Sequence, residues 1–302
     1  MSGSVWINGQ FVERAEARLS AFDAAVQHAV GLFETMLAVN GRVFRLFEHL
    51  DRLQRSAREL GLTESLRLNP LGEAVQRVVE ESALDRARVR LTVTGGDLNL
   101  LASGGPGPVD PTVMIAAQPA TPYPAEMFER GVMAVIGALR LNPLDPTQGH
   151  KTLNYWARLR ELQHAARAGA GEAILLQVTN HLGGGAVSNL FLIKDGAVLT
   201  PIARGEEDPA PTALRSPVLP GVTRRAVLDF AADMGLACEA RMLTVDDLLG
   251  ADEAFLTNSS WGVLPVVRIE AAPLGTGAPG PATRALRAKW LDAVEEQQDE
   301  PL

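Results

Sequence analysis

Two short stretches of this sequence carry residue types that could do chemistry. The first is residues 150–155, HKTLNY, where Lys151 stands just ahead of a helix-like segment. A lysine amine can condense with an aldehyde to give an imine and, once released by transimination, can act as a general base. By local chemistry alone, a lysine before a helix is a solvated surface charge. The second stretch is residues 219–224, LPGVTR, a Pro-Gly turn leading into a helix. The backbone N–H groups of Val222 and Thr223 fall in the first turn, where they lack intrahelical partners, and with the helix dipole they favour an anion. The Thr223 hydroxyl adds a donor, although a Pro-Gly before a helix is by itself only a turn.

Other motifs read as decoys. Residues 275–280, GTGAPG, satisfy GxGxxG literally, but only the terminal helix follows, so no βαβ unit completes a dinucleotide site. The run NSSWG places Asn258 where a nucleophile elbow needs glycine. The five histidines show no HxxxH or HxH spacing, so no metal site is expected. The single cysteine, Cys238, excludes an intramolecular disulfide and reads as a small buried residue in a strand.

Composition narrows the class. A chain of 302 residues with 46% hydrophobic content is long enough for two domains with their own cores. The net charge of −8 leaves no basic excess to neutralise phosphates, which argues against a nucleic-acid partner. No apolar run of about 18 residues predicts a membrane span, and the MSGSVWINGQ opening lacks the basic and apolar regions of a secretory signal. A cytoplasmic protein is expected.

The elements that must position the two stretches follow from pattern. Asn8-Gly9 and Asn40-Gly41 predict hairpins, the second between LFETMLAV and RVFRL. Leu50, Leu53, Ala57 and Leu60 recur at helical spacing, and Gly61 stops that helix. Asn69-Pro70 opens another. VRLTVT, TVMIAA and VMAVIGAL are β-branched or apolar runs that predict strands. Between the first two lies a Gly/Pro loop, GGPGPVDP, expected to be mobile. Three prolines in residues 118–124 predict an interdomain linker, giving an N-terminal domain over 1–117 and a C-terminal domain over 125–302. AILLQV, AVSNLFLI, EAFLT and VLPVVRI predict further strands, and helices are expected over 222–234 and 282–295. Strands and helices mix throughout, so the class is α+β or α/β.

The runs HKTLNY, GEAILL and GGGAVSNLF, with LPGVTR downstream, resemble the class IV aminotransferase (fold-type IV) family of pyridoxal phosphate enzymes. That family includes branched-chain and D-amino acid aminotransferases and 4-amino-4-deoxychorismate lyase. The resemblance covers nearly the whole chain. It implies an α+β fold of two α/β domains, of the D-amino acid aminotransferase-like kind, with pyridoxal 5′-phosphate as cofactor. It implies that Lys151 forms the Schiff base. It further implies that Arg52, in EHLDRL, holds the cofactor phosphate together with Gly221, Val222 and Thr223, and that Ser259 or the adjacent Ser260 adds a hydroxyl or amide. Asn189 would hold the strand turn near the cofactor, and Glu34 would support the site. Arg90 aligns with an arginine that orients the substrate carboxylate; its alternative is an outward strand arginine. Phe33 matches the strand that enters the site. Tyr155 and Trp261 are candidate pocket residues, with packing as their alternative, and His28 falls near the subunit boundary. A homodimer acting on a small amino acid or keto acid is implied.

Two departures stand out. Family members carry a glutamate in an EGxxSN stretch that contacts the pyridine nitrogen; here the stretch is GGAVSN, and the position is Gly184. No Asp or Glu lies between Gln177 and Ile193. Water or another side chain could fill the gap, the chemistry could need less electron withdrawal, or the chain could be an altered member. The other departure is a long polar loop over 201–217, a candidate lid. The expected activity is transfer of an amino group between an amino acid and a 2-keto acid through Lys151. The alternatives are elimination of pyruvate from aminodeoxychorismate and, in another class, an impaired or non-catalytic relative.

Overall fold

The computed structural model describes residues 4–97, 111–210 and 213–297. All but the last residue of the GGPGPVDP loop, and the end of the C-terminal tail, lie outside these. The chain divides into two compact units. The first draws its described residues from Met1–Thr121, His150–Asn154 and Val294–Leu302; the second comprises Pro122–Gly149 and Tyr155–Ala293. Of the 118–124 stretch, Gln118 and Pro119 pair in a strand of the first unit and Pro122 opens the second. The Lys151 segment, His150–Asn154, belongs to the first unit.

The first unit holds strands β1 (Ser4–Ile7) and β2 (Gln10–Glu13), helix α1 (Ala24–His28), strands β3 (Gly31–Val39) and β4 (Arg42–Val43), helices α2 (Leu46–Glu59) and α3 (Leu68–Ser82), and strands β5 (Arg86–Thr94) and β6 (Val113–Pro119). Its sheet runs β2-β1-β6-β5-β3-β4, with every pairing antiparallel. The Asn40-Gly41 turn adopts positive φ at both residues, as expected, but β4 is only two residues long because Leu46 already starts α2. Strand period sets the two faces of the sheet. Ala87, Val89, Leu91 and Val93 join Leu32, Met36 and Ala38 against the apolar faces of α2 and α3. Arg86, Arg88, Arg90, Thr92 and Thr94 alternate with the buried apolar residues of β5 and therefore take the other face.

Because β4 pairs only with Ala38 and Val39, it leaves the first half of the β3 edge to another segment. Residues 151–153 fill it. The Phe33 N–H donates to the Lys151 carbonyl and the Leu153 N–H to the Gly31 carbonyl, each at 2.9 Å, and Leu32 bridges Thr152 antiparallel. This short added strand puts Thr152 on the Leu32 face and Lys151 on the Phe33 face.

The second unit holds α4 (Glu126–Glu129), β7 (Val132–Leu141), α5 (Trp156–Arg167), β8 (Glu172–Gln177), β9 (Leu182–Gly185), β10 (Asn189–Lys194) and β11 (Ala197–Pro201). It continues with α6 (Val222–Asp233), β12 (Cys238–Arg241), α7 (Val245–Leu249), β13 (Glu253–Asn258), β14 (Gly262–Ile269), β15 (Ala272–Pro273) and α8 (Pro281–Glu295), whose last residues belong to the first unit. The sheet order is β12-β11-β10-β13-β14-β7-β8-β9, with β15 beside β14. Pairings β11–β12, β14–β7 and β7–β8 are parallel. Two expectations need correction. Residues 186–188 form an irregular turn between β9 and β10, not the start of a strand. Cys238 does lie in a strand, but β12 is an edge strand and the thiol is exposed.

Candidate active site

In the first unit the site is built where α2 lies over β3. Glu34 points to the helix side and is 1% exposed. Its carboxylate accepts from Arg52 Nε at 2.9 Å, Arg52 Nη2 at 2.6 Å and His49 Nδ1 at 2.8 Å. Residues 49 and 52 share a helix face because they are three apart. Burial alone would raise the Glu34 pKa, but the Arg52 guanidinium and the His49 N–H outweigh it and hold the group at about 2. Burial lowers the His49 pKa against the pull of Glu34. With an ionised carboxylate 2.8 Å away, the neutral ring carries its proton on Nδ1.

Phe33, the neighbour of Glu34, takes the opposite face. Its ring carries Lys151 Nζ 4.6 Å from the centroid and the Arg90 guanidinium carbon 3.4 Å from it. Arg90 also lies 3.4 Å from the hydroxyls of Thr35 and Thr92. The structure thus brings Lys151, Phe33 and Arg90 together, and resolves Arg90 as a half-buried arginine of that face. His150 is buried, with Nδ1 2.9 Å from Ser56 Oγ on α2, so the helix also grips the residue before the lysine. His28 is exposed at the end of α1.

In the second unit the expected anion turn is present. Gly221 is the N-cap of α6, and Val222 and Thr223 are its first residues. A side chain on Gly221 would collide with Asn189 Oδ1, so the close approach requires glycine. Asn189 donates from Nδ2 to the Leu219 carbonyl at 2.8 Å, which ties β10 to the turn. Thr223 is 2% exposed, and its hydroxyl has no hydrogen-bond partner among the described residues. The same holds for Thr257, whose Cα pairs with that of Asn189 across β13 and β10. A buried hydroxyl without a partner costs about 1–3 kcal/mol. An anion at the α6 N-terminus would complete Thr223, so these residues fit a phosphate group.

The neighbouring Arg224 is buried and forks onto Glu206 at 2.6 and 2.7 Å, with Thr200 Oγ1 and the Pro201 carbonyl as further acceptors. Ser216 Oγ donates to the Ile202 carbonyl at 2.7 Å, and the Arg204 N–H to the Val218 carbonyl at 2.9 Å. These contacts fasten both ends of the 201–217 loop.

Asn258 caps its own turn, accepting from the N–H groups of Ser260 and Trp261 at 2.9 and 3.0 Å; Ser259 and Ser260 are half-buried at the tip. Trp261 is buried in the core of the second unit, edge-on to Tyr123, which is its packing alternative. Tyr155 is half-buried ahead of α5, where Arg158 approaches its ring. Sequence reasoning missed His49, Arg224 and Glu172. The spacing of His49 to Arg52 was the available signal for the first. Glu172 is fully buried; its carboxylate accepts from the Ala173 and Val187 N–H groups and the Ser188 hydroxyl, shaping the 186–188 turn. Burial pushes its pKa up despite these donors.

The first unit thus holds a half-buried Lys151 on an added strand with Arg90 against the same ring, and the second holds a helix N-terminus whose buried Thr223 hydroxyl no described residue satisfies. Residues 31–269 match the amino-transferase class IV family, and the chain belongs to it. It is 30% identical over 294 residues to the branched-chain-amino-acid aminotransferase of Salmonella typhimurium, covering 95% of this chain and 91% of that one. The solved branched-chain amino acid aminotransferase of Escherichia coli matches with a TM-score of 0.87 at 27% identity, over 99% and 97% of the two chains. The 4-amino-4-deoxychorismate lyase of Pseudomonas aeruginosa matches with a TM-score of 0.82 at 26% identity, over 96% and 99%. A further branched-chain amino acid aminotransferase of this fold, at a TM-score of 0.86, was solved with pyridoxamine 5′-phosphate. The protein is a pyridoxal-phosphate-dependent enzyme with the fold of this family. Its main activity is amino-group transfer between an amino acid and a 2-keto acid.

At Gly184 the departure from the family pattern is built into the backbone. Its φ is +142°, and an added Cβ would lie 2.9 Å from the Ser188 carbonyl oxygen. Gly184→Glu is expected to lower stability by about 1–3 kcal/mol, measured by urea unfolding. An unchanged midpoint would show that the turn tolerates a side chain. A second outcome follows from Glu34. Its pKa falls from an ordinary 4.5 to about 2 on folding, so its stabilising contribution is complete above pH 4.5 and is lost as pH drops toward 2. Thermal unfolding of wild type and Glu34→Gln should therefore show a gap at neutral pH that narrows across this window. A gap independent of pH would contradict an ionised Glu34.

Proposed function

We propose that Lys151 is the covalent anchor of the cofactor, and that amino acids with aliphatic, branched side chains are the first donors to test. The observation that carries the reading is the fastening of residues 151–153 to the β3 edge, with Lys151 Nζ over the Phe33 ring beside Arg90. The substrate class is supported by the branched-chain aminotransferases this chain is similar to.

Pyridoxal phosphate, when bound, supplies an electron sink for the bonds at a substrate Cα. The chain's own residues do the rest. Thr223, with the Val222 and Thr223 N–H groups, binds the phosphate at the α6 N-terminus; for Arg52, whose guanidinium Glu34 fixes, the phosphate role is supported by the family resemblance of EHLDRL. Arg90 orients the substrate carboxylate, held in place by Phe33 and the Thr35 and Thr92 hydroxyls. Lys151 Nζ, once displaced by the substrate amine, removes the Cα proton. Phe33 packs below the lysine and excludes water from that side. Ser259 or Ser260 supplies a further donor from the Asn258 turn, and Asn189 keeps β10 locked to the Leu219 carbonyl.

Pyruvate elimination from aminodeoxychorismate is the second reading, favoured by the near-equal match to the lyase structure. A cytoplasmic location belongs to the same reading; the free thiol of Cys238 supports a reducing compartment. Among the described residues no helix is long and apolar enough to cross a membrane. Homodimerisation is part of it too, supported by exposed apolar side chains such as Trp156 at 81% and Leu144 at 72%.

Three experiments check these points. Added pyridoxal phosphate should give a visible absorption band in wild type and none in Lys151→Ala, and Thr223→Val should weaken binding without abolishing the band. Leucine should then be converted to its keto acid with 2-oxoglutarate as acceptor; pyruvate released from aminodeoxychorismate instead would select the lyase reading. No band in wild type would end the proposal. Light scattering should give twice the 32.2 kDa chain mass, and a monomer would remove the dimer.

A further inference from the structure

His49 stands in EHLDRL three residues before Arg52 with no role assigned from the sequence, yet it sits at the centre of the polar cluster under α2. It is 1% exposed, 2.8 Å from Glu34 Oε2 and 3.4 Å from Arg52 Nη2. Glu34 offers two oxygens to three donors. Arg52 takes one with Nε and the other with Nη2, and His49 Nδ1 shares the second. Two of the guanidinium's three nitrogens are therefore committed to one carboxylate, which fixes the plane of the guanidinium and the direction of Nη1. The carboxylate is fixed in turn, because the imidazole closes the side of Oε2 that would otherwise let it rotate about its terminal bond.

Charge makes the arrangement specific. Glu34 and Arg52 cancel within the buried cluster, and a neutral imidazole adds a donor without adding charge. A protonated one would place a second cation beside Arg52, and also near Lys151, whose charge is felt at His49. The cluster is more than packing, since an apolar residue in place of His49 would fill the volume but leave Oε2 one donor short.

We infer that His49 and Glu34 are positioning residues that orient Arg52 toward the cofactor phosphate. The inference rests on the proposed role of Arg52 as a phosphate ligand, and goes beyond it by assigning the residues that make the guanidinium selective for that group.

The test is to titrate the apo form of the full chain with pyridoxal phosphate and, separately, with pyridoxal, which lacks the phosphate. The visible band reports binding in each case. His49→Ala should weaken pyridoxal phosphate binding about tenfold while changing pyridoxal binding by less than about twofold. His49→Asn, whose side-chain amide can replace the Nδ1 donor, should restore most of the loss. Glu34→Gln should behave as His49→Ala; should that variant fail to fold, the two His49 variants carry the test alone. Parallel loss of both ligands in His49→Ala, or no loss of either, would overturn the inference. Arg52→Gln separates this from the underlying reading. If Arg52→Gln leaves the preference for the phosphorylated ligand intact, the phosphate role of Arg52 fails, and the inference fails with it. If Arg52→Gln abolishes that preference and His49→Ala preserves it, only the inference fails.

Discussion

The first unit depends on a carboxylate placed where water cannot reach it. Glu34 is buried in a sheet face whose other core residues, among them Leu32, Met36, Val89 and Leu91, are apolar. An isolated charge there would cost several kcal/mol, and the chain offsets that cost with a bidentate arginine and a histidine N–H. The requirement couples a strand to a helix: β3 supplies the acid, α2 supplies both partners, and neither can shift by a residue without leaving a buried charge unmatched. It also fixes Phe33, the next residue back, whose backbone N–H holds the carbonyl of Lys151. The ion pair and the strand edge to which Lys151 is fastened therefore share adjacent residues of β3.

The second unit shows the complementary situation, a place where polar groups are buried and left without partners. Thr223 and Thr257 carry hydroxyls that no described residue satisfies, beside a turn kept open by Gly221 and Asn189. A folded chain tolerates such groups where a ligand completes them. Around them the backbone is fastened, by Arg224 on Glu206 and by Glu172 on the 186–188 turn. Gly184, in β9 just before that turn, has a φ of +142°, and a Cβ there would lie 2.9 Å from the Ser188 carbonyl oxygen.

Much of this was legible in the chain itself. The Asn-Gly turns, the strand alternation of β5 and the helical spacing of α2 are local signals, because each depends on residues within one or two turns of each other. The Lys151 and Leu219–Arg224 stretches were legible for a different reason: they resemble a family whose cofactor demands those residues at that spacing. The chain misled where solvent and neighbours decide. Cys238 reads as buried from its apolar setting but lies on an edge strand. In the 201–217 loop, a candidate lid by length and polarity, the contacts of Arg224 and Ser216 that pin its ends depend on residues distant in the chain.

The sequence by itself determined the element types, which are written in periodicity, and the class of enzyme, through contiguous motifs that resemble a known family. Tertiary structure alone decided which polar residues share a site. Glu34 and His49 are 15 positions apart, and Glu206 and Arg224 are 18 apart. No periodicity links residues on different elements, and the cost of burying a charge is felt only once a sheet and a helix have closed over it.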